Sequence, residues 1–171
     1  VGVALATRLA GEGHHVRVLT RSGRDLKVPE VESIAVDASD IAALTSRVTG
    51  ASVLYNCANP GSYTQWEKLW PPLAASILSA AERSGAVLAT ASNLYGYGRV
   101  DAPMTRRTPL RPCDHKGALR ARMWQQALAA LGLGVFLLSI PAHIGVVTRS
   151  HIGFVLDRKT PLRLTPTEEA D

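Results

Sequence analysis

Cysteine is scarce in this 171-residue chain, which holds only Cys57 and Cys113. Two thiols cannot build a disulfide framework, so a small cross-linked scaffold is excluded. No apolar run approaches the roughly 20 residues that cross a bilayer. The first residues do not read as a secretory leader, and the expectation is a cytoplasmic protein without a membrane partner. Aromatic residues make up 5% of the chain and form no stripe among basic ones, so nothing suggests a surface for stacking bases. Acidic residues are outnumbered, 14 against 19 Lys and Arg, for a formal net charge of +5. No polybasic tail concentrates that excess, so scattered arginines explain it as readily as an anionic partner does, and nucleic acid is disfavoured. What is present is a 46% hydrophobic content, enough for one buried core and too much for a disordered chain.

The chain opens inside an amphipathic pattern, with Val1, Leu5 and Leu9 on one side and small Ala4 and Ala6 between them. Gly11-Glu12-Gly13 ends that helix, and a strand follows over 15–20. A sequence that starts in mid-helix is expected to belong to something longer. A short strand is expected over 33–37, then a helix capped by Asp40 and running to Val48. Apolar strands are expected over 51–56, 86–90 and 135–139, with helices over 66–83 and 115–131. Asp114 reads as the cap of the second of these helices, and Pro71-Pro72 should bend or break the first. The stretch 152–156 reads as helical, and 160–171 as an unfinished connection. Short glycine-marked turns join strands that are continuous apolar runs, the sign of a parallel sheet covered on both faces.

Four local patterns carry a resemblance to the NAD-dependent epimerase/dehydratase family, the extended short-chain dehydrogenases/reductases. The segment from Val1 to Leu9, followed by Gly13-His14-His15-Val16, resembles the helix after the family's glycine-rich turn, with Gly2 as its last glycine. That glycine lets the helix press on the first strand while its N-terminus faces the pyrophosphate. Next, Leu19-Thr20-Arg21-Ser22 stands where an NAD-preferring enzyme carries an acid for the ribose hydroxyls. Arg21, with Ser22 and the nearby Arg24, suits the 2′-phosphate of NADP instead; NAD stays open, as does a merely solvated arginine. Asp37-Ala38 closes a strand where the family holds the adenine amino group, although Asp37 also reads as a plain loop residue. Ala58 and Asn59, after Asn56-Cys57, resemble the small-residue turn against the adenine ribose. Cys57 reads as a small buried residue and not as a nucleophile.

The chemistry positions depart from the family. Its members use a Tyr as acid or base with a Lys one helical turn later, and a Ser or Thr on a strand end for the substrate oxygen. Lys116 matches the lysine, but the residue four before it is Pro112. Thr90-Ala91-Ser92-Asn93-Leu94-Tyr95-Gly96 resembles the hydroxyl-bearing strand end, with Ser92 one residue off the usual place. Tyr95 or Tyr97 could stand in for the missing phenol, with Lys116 lowering its pKa. Equally, the chain could bind a dinucleotide without chemistry, or do neither, and Tyr97 could be structural. Ser139-Ile140-Pro141-Ala142-His143 resembles the segment whose Pro141 backbone meets the nicotinamide, with Ile140 in place of an arginine. His143 is a weaker acid–base candidate. The basic stretch 106–122, including Lys116, Arg120 and Arg122, reads as a solvated helix flank or as an anion site. Trp66, Trp70 and Trp124 read as helix core or dimer surface, and no group of residues suggests a metal site.

The resemblance therefore implies an α/β, Rossmann-type doubly wound parallel sheet lacking its first strand. On this reading 1–145 forms an NAD(P)-binding domain and 146–171 begins an incomplete substrate-binding region. Without that central strand, the opening helix would lack a surface to cover and two strands would lack a ladder partner. The implied function is an NAD(P)-dependent oxidoreductase or epimerase acting on a small hydroxyl- or carbonyl-bearing substrate, nucleotide sugars included. The rival is a non-catalytic dinucleotide sensor of the same fold. The family also implies a homodimer paired through the two long helices.

Overall fold

A computed structural model describes residues 1–105, 107–130, 135–139 and 152–157. The elements in chain order are α1 (Gly2–Gly11), β1 (Val16–Thr20), β2 (Val31–Ala35), α2 (Ile41–Val48) and β3 (Ala51–Cys57). A 3-10 turn (Tyr63–Gln65) then leads into α3 (Trp66–Ser84) and β4 (Val87–Ser92). A second 3-10 turn (Tyr95–Tyr97), α4 (His115–Ala129), β5 (Val135–Ser139) and β6 (Ile152–Asp157) complete the order. The six strands form one sheet in the order β2-β1-β6-β3-β4-β5. The pairs β1–β2, β3–β4 and β4–β5 are parallel, as the continuous apolar runs imply.

Successive strand residues serve opposite faces. Leu19, Leu54 and Leu88 pack with Leu44 and Val48 of α2 and with Ile77, Ala80 and Ala81 of α3. Val16, Val18, Val53 and Ala89 pack on the other side with Ala6 and Leu9 of α1. Both faces are thus covered, and the sheet is the doubly wound α/β layer expected from the sequence. The buried face of α1 is Gly2, Ala6 and Leu9, whereas Val1 is exposed and Leu5 only half-buried. Gly2 and Ala6 let the helix lie close to the sheet, and Leu9 turns inward with them while Leu5 packs against the edge of the same cluster.

Two local expectations hold through hydrogen bonds. Asp40 Oδ1 accepts from the Ala43 N–H at 3.0 Å, capping α2, and Asp114 Oδ1 accepts from the Gly117 N–H at 2.7 Å, capping α4. Two others meet a different outcome. Pro71 and Pro72, expected to bend or break α3, do not break it: the helix runs continuously through both. The carbonyls they leave without an amide donor belong to Glu67 and Lys68, residues on the exposed side of the helix. The 152–156 stretch is not helical: β6 is a strand, antiparallel to β1 on one side and to β3 on the other. It fills the slot between them that the doubly wound order gives to the first strand, so neither β1 nor β3 goes without a partner. A short apolar run fits a strand as well as a helix, and periodicity could not decide between them.

Candidate functional site

The carboxyl ends of the parallel strands gather the residues singled out from the sequence. The Val36 N–H donates to the Thr20 carbonyl at 2.8 Å, which holds the end of β2 against the end of β1. Arg21 and Asp37 therefore leave the sheet as neighbours, and both side chains are exposed. The loop after Arg21 is set by Gly23 (φ +63), where a Cβ would stand 2.8 Å from the Ala35 Cβ. Asp37 Oδ1 accepts from the Ser39 N–H, and Ala38 packs against the core. Beyond β3, the Asn56 side chain accepts from the Ala58 N–H at 3.1 Å, shaping the turn through Ala58 and Asn59. Because α1 runs into β1 through a short turn, its start lies at this same edge with Gly2 buried. Burial pushes the Cys57 thiol up to about 11, so it behaves as a packed apolar residue.

A second cluster lies at the ends of β4 and α4. The Lys116 ammonium sits over the Tyr63 ring, 4.2 Å from its centroid. Tyr63 also lies beside Tyr95, and its hydroxyl is the largest influence raising the Tyr95 phenol above its ordinary pKa. Burial adds to the rise and the Lys116 charge opposes it. Glycine makes this approach possible, for a Cβ on Gly117 would meet the Tyr95 carbonyl oxygen at 2.6 Å. Gly96, likewise, rests on Ala121 of α4. Pro112 lies before the Asp114 cap and outside α4, so no residue of that helix takes the missing tyrosine's place one turn ahead of Lys116. The structure brings Tyr95 to Lys116 from another segment, whereas Tyr97 lines a small cavity with Leu110 and Trp124. Sequence reasoning missed Tyr63; only its place just before α3 could have hinted at it.

Arg120 corrects the solvated-flank reading of its helix. It is 7% exposed, and its Nη2 donates to Ser92 Oγ at 3.1 Å. The guanidinium carbon lies 4.5 Å from the Trp70 ring centroid and 5.9 Å from that of Trp66. Burial lowers its pKa to about 10, which still leaves it charged at neutral pH. Contact with an aromatic face stabilises a desolvated cation by about 2 kcal/mol or more, against several kcal/mol for burying the charge. Trp66 and Trp70 are buried with Leu119, as expected of helix core. Pro141, Ile140 and His143, like Arg106, lie outside the described residues. Among the described residues no cluster of His, Cys, Asp and Glu could hold a metal, and no helix is long and apolar enough to cross a membrane.

No family model matches the chain, and no curated protein matches it. Solved structures do. MoeE5, in complex with UDP-glucuronic acid and NAD, is similar with a TM-score of 0.63 and 21% identity, over 80% of this chain and 49% of that one. The Bordetella bronchiseptica enzyme WbmH, in complex with NAD+, is similar with a TM-score of 0.66 and 13% identity, over 80% of this chain and 50% of that one. A double mutant of DesIV, a dTDP-glucose 4,6-dehydratase from Streptomyces venezuelae with NAD bound, gives 0.54 and 18%, over 66% and 39%. The chain shares their fold. It spans half or less of the length of each, and the epimerase/dehydratase resemblance of the sequence is met at the level of architecture.

Proposed function

We propose that this chain is the dinucleotide-binding part of an NAD(P)-dependent oxidoreductase or epimerase acting on a small hydroxyl- or carbonyl-bearing substrate. The observation that carries the reading is the Tyr63–Tyr95–Lys116 cluster, placed at the carboxyl edge of a doubly wound sheet. Ligands of such sheets bind outside the carboxyl ends of the strands. The residues at that edge fit an adenine dinucleotide. The start of α1, with Gly2 buried and no acidic residue in its first turn, suits a pyrophosphate. Arg21 suits a 2′-phosphate, which makes NADP the preferred form and NAD the alternative. Asp37, Ala38, Ala58 and Asn59 border the adenosine side, and Lys116 the nicotinamide side. The similar structures hold NAD, and one holds a nucleotide sugar, which supports a nicotinamide dinucleotide and brings nucleotide sugars into the substrate class.

The bound cofactor would supply or accept hydride. This chain's part is the proton. Tyr95, held protonated by Tyr63 and by burial, acts as the acid that gives its hydroxyl proton to a carbonyl oxygen, and Lys116 steadies the phenolate left behind. Ser92 is less available, since its hydroxyl is engaged by Arg120. One observation favours the sensor reading: the Tyr95 pKa is raised and not lowered, the reverse of what a base at neutral pH requires. Titration with NADPH and NADH, followed by tryptophan emission and thermal shift, tests binding, and a panel of carbonyl substrates tests turnover. Enzyme function requires that Tyr95→Phe abolish turnover while leaving cofactor affinity near wild type. Saturable binding with no turnover across the panel establishes the sensor, and absence of binding overturns both.

A further inference from the structure

We propose that Arg120 anchors a subsite for a carboxylate group of a small ligand, in the cavity between α3, α4 and the ends of β3 and β4. The cavity has a volume of about 60 Å³; its wall is mostly apolar, with residues such as Ile77, Leu78 and Met123, and Asn56, Thr90, Ser92 and Arg120 bring polar groups to it. That is room for a few waters or for one carboxylate-sized group. Arg120 supplies the second, independent observation. Its Nε and Nη1 are buried without a hydrogen-bond partner among the described residues, and the residue is only 7% exposed. A guanidinium carries five N–H donors in a planar fork, and the structure gives this one a single acceptor, Ser92 Oγ.

The charge is unanswered as well. Both ion pairs among the described residues, Arg8–Glu12 and Lys27–Asp25, lie at the surface, and among the described residues no carboxylate joins Asn56, Thr90 and Ser92 in the cavity wall. The Trp66 and Trp70 rings are what the cation meets instead, and an aromatic face offers no acceptor for the free N–H groups. A buried cation with unmet donors in the wall of an otherwise largely apolar cavity is completed by a small anion. Planar, two-oxygen acceptors match a guanidinium better than spherical ones do. The subsite stands on Arg120 and its cavity alone, independent of dinucleotide binding. Its position beside Ser92 would give the substrate class an acidic member.

The test is a titration of the whole chain with acetate at constant ionic strength, read by tryptophan emission, since Trp66 and Trp70 touch the guanidinium. Acetamide serves as the uncharged match and chloride as the spherical anion. The expected result is a saturable change with acetate alone, weakened about tenfold in Arg120→Lys and abolished in Arg120→Met. Circular dichroism of both variants establishes that they are folded. An equal response to chloride, a response that persists in Arg120→Met, or no saturable response in the wild type overturns the proposal. Acetate binding without any NADPH binding would uphold the subsite while defeating the dinucleotide reading, so the two fail separately.

Discussion

Replacing Arg120 by methionine removes a charge that the fold holds at a loss, and the size of the effect follows from the structure. Burial takes the guanidinium pKa down to about 10, which corresponds to about 3 kcal/mol against carrying the proton. The hydrogen bond to Ser92 returns about 1.5–3 kcal/mol, as bonds to charged groups do, and the ring contacts about 2 kcal/mol. Gain and cost differ by no more than about 2 kcal/mol. Methionine adapts to the same space with no donor to satisfy, so Arg120→Met is expected to lie within about 2 kcal/mol of wild type in urea denaturation, in buffer free of carboxylates. An arginine with a protein counter-charge behaves otherwise, because removing one partner of a buried pair costs about 3–5 kcal/mol. For a domain of this size that is a fall in Tm on the order of 10 °C. A loss that large would refute the reasoning, since it would mean that Arg120 is already paired. The pH dependence gives a second check. The folded pKa lies below the unfolded one, so above about pH 10 the unfolded state binds more protons and wild-type stability rises with pH. Arg120→Met lacks the group, and the difference between the two proteins should therefore move in favour of wild type above pH 10.

Other substitutions probe the remaining contacts. Gly117→Ala puts a methyl 2.6 Å from the Tyr95 carbonyl oxygen and 3.0 Å from the Pro112 Cβ; it should cost about 1–3 kcal/mol and alter near-UV circular dichroism as Tyr95 moves. Unchanged stability would show that α4 and the Tyr95 turn are not in contact. Cys57, with its thiol raised to about 11, should be alkylated by iodoacetamide at pH 8 about 100-fold more slowly than an ordinary thiol. Exposed Cys113 should react first, and peptide mapping that finds equal rates would contradict the burial of Cys57. Arg21→Ala should weaken NADPH binding about tenfold or more while leaving NADH unchanged, and an equal loss for both would remove the 2′-phosphate role.

The sequence reveals the frame better than the site, for physical reasons. Strands such as Val16–Thr20 and Ala51–Cys57 are legible because continuous apolar runs between glycine turns have few other uses. The helix starts at Asp40 and Asp114 are legible because a short carboxylate bonds amide donors two or three residues ahead. Arg120 misled because spacing places it on a face with Lys116, yet spacing does not say which side of the helix meets tryptophans. Trp70 and Trp66 lie some fifty residues earlier in the chain, and only the folded arrangement sets them beside that guanidinium. Tyr63 was missed for the same reason: its partners, Tyr95 and Lys116, are remote in sequence. Pro112, by contrast, could be read directly, since a missing phenol shows in the letters themselves.

The placement of β6 follows from the same competition between local pattern and tertiary demand. β1 and β3 each present a row of amides and carbonyls to the gap between them, and one strand satisfies both rows. β5 is parallel to β4 and ends at the carboxyl edge, where Ile152 also stands, opposite Cys57. β6 runs back from that edge, antiparallel to both neighbours, and the apolar run 152–156 is kept extended by ladders on both sides although its composition would serve a helix. The direction of this one strand leaves the functional edge intact. Arg21, Asp37, Asn59 and Ser92 all follow or end strands of the parallel set, so the geometry that groups them depends on β1 to β4 and not on which strand lies between β1 and β3.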